Sequence, residues 1–255
     1  MNAFKTLLPA AALAISLAAV AAPSQAAVIA QFQPVTNASD YDWVKSSGAG
    51  TGGHLFSISA SNQTSANGVA TTFSFLEPSF SALADLSATF TIDATAANGN
   101  PAAKDAGSGT FTQPGLDGTF SFIYSGPNTT IDGFDLTTGE DLLSGVFTNA
   151  WIQGAGGSGS TNVTFDNGGT LILSSSVINL SGVVPGSEEF SLNMLSVSPH
   201  FGATTGKALN SFKANGGGNF SALGVPEPAT WGLMILGFGG AGVMLRRRRV
   251  AMVAA

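Results

Sequence analysis

Short runs of strict apolar–polar alternation, cut at close intervals by glycine, asparagine and aspartate, constrain most strongly what this chain can become. In TTFSFL (71–76), Phe73 and Phe75 fall on one side of an extended chain, with Thr72 and Ser74 on the other. Phe120 and Phe122 flank Ser121 in the same way in GTFSFIY (118–124). HLFSIS (54–59), VATTFSFL (69–76), LSATFTI (86–92), GTLILSSSVINL (169–180) and EFSLNML (189–195) repeat the pattern, joined by turns such as ANG, LDG and DNGG. No helical period interrupts them between Ala27 and Asn219. About ten such segments predict an all-β body, an antiparallel β-sandwich or jelly-roll-like fold. Eighteen phenylalanines against two tyrosines supply most of its core, and Trp151 is expected there too. Residues 97–109 and 153–162 read as the longest loops.

Charge narrows the partners. Only 9% of the residues are charged, far below the roughly 25% of an ordinary soluble domain. Between Ala27 and Val225, Lys45, Lys104, Lys207 and Lys213 stand against fourteen carboxylates, a net charge of −10. Phosphate binding needs a basic surface, so a nucleic-acid partner is disfavoured. The absence of cysteine excludes disulfides, zinc–thiolate sites and thiol nucleophiles. A body of this length holds one good core without such staples.

Catalytic signals are weak. GAGTGG (48–53) and GAGGSG (154–159) satisfy G-x-G-x-x-G, yet each leads into a strand pattern, whereas a dinucleotide site needs that turn to open a helix. His54 and His200 are the available neutral-pH acid–base groups, and no G-x-S-x-G elbow accompanies them. A secreted hydrolase is therefore the least favoured reading, and no enzymatic activity is expected. The turn IDGFDLTTGED gathers Asp132, Asp135, Glu140 and Asp141, oxygen donors suited to calcium, though without EF-hand spacing. A solvated acidic turn between strands is the preferred account of them, and no cofactor is otherwise expected. In NASDYDW (37–43), Tyr41 and Trp43 beside Asp40 and Asp42 are candidate sugar contacts, against the plainer reading of a packed edge strand.

Both ends read as addresses. Lys5 opens a basic n-region, Leu7 to Ala22 forms an apolar stretch, Pro23 breaks it, and Ser24 and Ala26 place small residues before a cleavage point at Ala27. Residues 1–26 thus have the layout of a cleavable signal helix. At the other end, Trp231 to Leu245 carries no charge. As a helix it reaches roughly 22 Å, short of a hydrocarbon core of about 30 Å unless the flanking arginines snorkel. Arg246, Arg247, Arg248 and Arg249 then hold the cytoplasmic side, in line with the positive-inside rule. Upstream, Pro226 and Pro228 fix Glu227 on a stiff, extended ribbon.

Pro226-Glu227-Pro228, then Trp231, then the apolar run, then the four arginines together resemble the PEP-CTERM sorting signal of Gram-negative bacteria, in its variant with Trp three positions after the motif. Gly232 stands where that pattern usually has alanine, and VAMVAA follows the arginines. The resemblance implies cleavage by an exosortase, a multi-pass membrane enzyme, and delivery to the cell surface or an exopolysaccharide matrix. LLSGVFTNAWIQG (142–154) is also similar to β-rich bodies that accompany this tail, a group with no activity to transfer.

The expected organisation is a signal peptide (1–26), a β-sandwich body (27–214), a flexible Gly-rich spacer (215–224), the sorting signal with its single transmembrane helix (225–249) and a short tail (250–255). The expected function is that of an exported, non-enzymatic surface or biofilm-matrix protein, held transiently in the inner membrane. The alternative is a carbohydrate-binding or adhesive module.

Overall fold

The computed structural model describes residues 26–35, 39–47, 50–59, 64–157 and 163–223. The expected signal helix, the PEP motif, the transmembrane helix and the arginine cluster lie outside the described residues, apart from Ala26 and Ala27. The body is nearly all strand, and every pairing is antiparallel. In chain order the strands are β1 (Ala27–Pro34), β2 (Tyr41–Lys45), β3 (Gly53–Ser57), β4 (Val69–Phe75), β5 (Leu86–Ala96), β6 (Ala103–Lys104) and β7 (Thr110–Tyr124). There follow β8 (Thr129–Ile131), β9 (Phe134–Leu136), β10 (Asp141–Ala155), β11 (Val163–Asp166), β12 (Leu171–Ser174), β13 (Glu189–Ser198) and β14 (Phe212–Ala222). Two single-turn 3-10 helices, Pro78–Phe80 and Leu180–Gly182, interrupt them.

The pairings close on themselves. β1 and β2 follow one another along one edge of β14, and β4 and β3 do the same along β5. From β5 the ladder passes through β7, β10, β11 and β13 to β14, which bonds back to β1 and β2. Each position pairs with the next one in the chain. A jelly roll requires Greek-key connections to non-neighbours, so that expectation is corrected to a closed antiparallel meander. Each strand of the ring has a partner on both sides, while β6 and β12 each bond along one side only.

Packing flattens the ring. The Phe32 and Phe122 rings lie 4.7 Å apart, Phe120 and Phe220 4.9 Å, so strands on opposite walls touch through one aromatic layer, as in a sandwich. Phe90 stacks on Phe122 and Phe190 on Phe220. Each buried phenylalanine contributes about 1.5–3 kcal/mol and each ring pair about 0.5–1.5 kcal/mol more. Alternation supplies these side chains. Leu86, Ala88, Phe90, Ile92, Ala94 and Ala96 of β5 all point inward and are buried.

Three local readings change. Residues 169–180 are strand only over Leu171–Ser174. There the Ser175 hydroxyl accepts from the Val177 and Ile178 amides and donates to the Leu142 carbonyl, offering the backbone an alternative to the ladder. Trp151 is half-buried on the outer face, lying against Gly168, because the β10 bulge between Phe147 and Ile152 switches which residues face inward. Residues 215–222, read as a flexible spacer, belong to β14, which bonds to β1, β2 and β13.

Candidate functional site

The first strand of the body starts beside the end of the last. Ala27, the first residue of β1, pairs with Ala222, the last of β14. Ala26 and Ala27 are exposed, so the signal-peptidase point read between them falls where the ladder starts; Ser24 lies outside the described residues. Beyond Ala222 the chain is still tied down. The Leu223 amide donates to Ser187 Oγ at 3.0 Å, and the Leu223 carbonyl accepts from the Val184 amide at 2.9 Å. Ser187 Oγ in turn donates to the Val184 carbonyl at 2.6 Å. This clasp was not legible in the sequence, since nothing in VVPGSEE marks Ser187 as a partner of a residue 36 positions away. Beside it a small apolar cleft of about 160 Å³ opens between Ile29, Phe80, Leu180, Val183 and Leu223.

Immediately after the clasp, residues 224–249 match the family model of the PEP-CTERM protein-sorting motif. The chain carries a PEP-CTERM sorting signal. That motif implies an exported protein, anchored in the membrane as a precursor and processed by an exosortase for the cell surface. Its match covers Pro226, Glu227, Pro228, Trp231 and Arg246 to Arg249. No curated protein and no solved structure matches the chain.

The body's own candidates fare differently. Tyr41 and Trp43 are fully buried. Tyr41 Oη donates to the Gly216 carbonyl at 2.9 Å and Trp43 Nε1 to the Leu209 carbonyl at 3.1 Å. Burial, with the Asp40 charge behind it, pushes the Tyr41 hydroxyl well above its ordinary range. Both rings are core, and the expectation of sugar contact through them is corrected.

The acidic turn does not assemble a cation site. Asp132 and Gly133 both take positive φ at the tip of the β8–β9 hairpin, the turn chemistry of Asp-Gly. Asp135 accepts from Thr130 Oγ1 at 2.6 Å, Glu140 from the Thr137 amide at 3.0 Å, and Asp141 from Ser144 Oγ at 2.6 Å. Among the described residues no three His, Asp or Glu side chains come together as metal ligands. Asp132, Asp135, Glu140 and Asp141 are thus local turn and strand-end groups, which corrects the calcium reading.

His54 Nε2 lies 2.6 Å from Asp93 Oδ1 on the outer face of β3 and β5. This is a His–carboxylate pair without a serine hydroxyl on its other nitrogen among the described residues. His200 is exposed and lines a separate open hollow with Lys104 and Phe201.

Proposed function

We propose that this protein is a non-enzymatic body delivered to the cell surface or an extracellular polysaccharide matrix, released from the inner membrane when an exosortase removes its tail. The observation that carries this reading is the sorting motif at 224–249, which follows in sequence directly on the last strand of the body. The body's composition suits the destination. A net charge of −10 and a cysteine-free chain keep it soluble and independent of the redox state outside the cell. The two histidines stand in separate places, which favours a structural or binding role over hydrolysis.

Pro226→Ala with Glu227→Ala tests this directly. The apolar run and the arginines remain, so membrane insertion is preserved. The doubly substituted chain is expected to accumulate in the inner-membrane fraction at full precursor length and to be lost from the surface and medium. Its arrival outside the cell at wild-type level would overturn the reading.

A further inference from the structure

A groove of about 470 Å³ runs over the outer face of β1, β14 and β13. Strand register explains its shape. Gln31 of β1, Asn219 of β14 and Ser191 of β13 share one rung across the three strands. On the neighbouring rung Gly217 pairs with Asn193, and a Cβ placed on Gly217 would lie 3.3 Å from the Gln33 Cα. The middle strand therefore has no side chain at this level, while Gln33 and Asn193 stand on either side. Asn215 and the exposed Leu195 close the far end.

The chemistry of the lining is specific. Gln31, Gln33, Asn193, Asn215 and Asn219 are all primary amides, each with two donor hydrogens and a carbonyl acceptor. None of these five side chains hydrogen-bonds to another group among the described residues. No charged residue lines the groove, although the body is strongly acidic. A cation would find no carboxylate here and an anion no basic group. A flat, neutral chain of hydroxyls alternating donor and acceptor fits instead, with the glycine floor admitting a ring and Leu195 offering a surface for its C–H face.

We propose that this groove binds a neutral polysaccharide chain through Gln33 and Asn193, with Gln31, Asn215 and Asn219 extending the contact. The site goes beyond the proposed delivery and stands apart from it, because all three strands end before the sorting motif begins.

The test uses the full chain in a zwitterionic detergent without a sugar headgroup, titrated calorimetrically with a linear β-glucan, dextran, a galactomannan and, as the anionic counterpart, alginate. At least one neutral glycan is expected to bind. Gln33→Ala with Asn193→Ala, which removes exposed side chains only, is expected to weaken that binding roughly tenfold or more, the size of two net hydrogen bonds. Asn193→Asp with Asn219→Asp keeps the shape but adds charge, and is expected to weaken it as well, with unchanged thermal unfolding certifying both folds. No binding of any neutral glycan, preference for alginate, or binding that both variants leave intact would each overturn the site. None of these results bears on whether the tail is cleaved.

Discussion

Asp141, at the first position of β10, carries a buried Oδ1 with no hydrogen-bond partner among the described residues. Burial raises its carboxyl above the ordinary carboxylate value, against the smaller lowering effect of the Ser144 hydrogen bond. The folded state thus holds this proton more tightly than the unfolded chain. Between the unfolded value and the raised folded one, the native state binds more protons, so stability falls as pH rises through that window. Above it the ionised, partly buried carboxylate is a standing cost. Asp141→Asn is therefore expected to stabilise the body at pH 7, with the advantage shrinking as pH falls through the raised value toward the ordinary carboxylate range. Denaturant unfolding of both chains at pH 7 and near pH 4 measures it, and a constant difference at the two values would contradict the assignment. Residues of this kind were the hardest to read from sequence. Tyr41, Trp43 and Asp141 are residue types that serve equally in binding sites and in cores. For the two aromatics what separates the roles is burial, fixed by segments 166 or more positions away, as the Trp43–Leu209 and Tyr41–Gly216 bonds illustrate.

At the scale of elements, β14 organises the barrel, since it bonds to β1, β2 and β13 at once. Its NGGGN sequence serves that crowding. Gly216 has φ near +142°, a conformation open essentially to glycine, and a Cβ there would fall 1.9 Å from the Asn193 carbonyl oxygen. Gly216→Ala is expected to cost about 2 kcal/mol or more through strain and overpacking. For a body of this size that corresponds to a fall of roughly 4–8 °C in Tm. An unchanged melting temperature would mean that the stretch is a slack spacer after all. Three consecutive glycines look like a linker because composition cannot report a strand that needs space for its neighbours. Alternation was a better guide. It placed Phe73 with Phe75 and Phe120 with Phe122 on core-facing sides, because period two depends only on local geometry. Alternation gives faces and not partners, so it could not distinguish a Greek key from the closed meander found here. Nor could it anticipate the β10 bulge, where Asn149 takes φ of +54° and its amide bonds Asp117, turning Trp151 outward.

Across the whole molecule, the two addresses converge. The mature N-terminus read at Ala27 lies in the same rung as Ala222, and the sorting motif begins at residue 224, just past the Leu223 clasp. A precursor held at both ends would thus present one end of the barrel to the membrane, and the two cuts would trim the chain close to a single strand pair. Pro226-Glu227-Pro228 follows in sequence only a few residues after the last strand. The tail was legible in the sequence because its parts act in order along the chain, whereas the clasp at Leu223 is built from distant segments. The most direct test is the intact mass of the protein recovered from its host, from the cell surface and from the medium. A species that begins at Ala27 and ends between Pro226 and Pro228 is expected, with any added mass at the new C-terminus revealing an attached anchor. A species that still carries Trp231 through Ala255 would contradict it and make the tail a permanent membrane anchor.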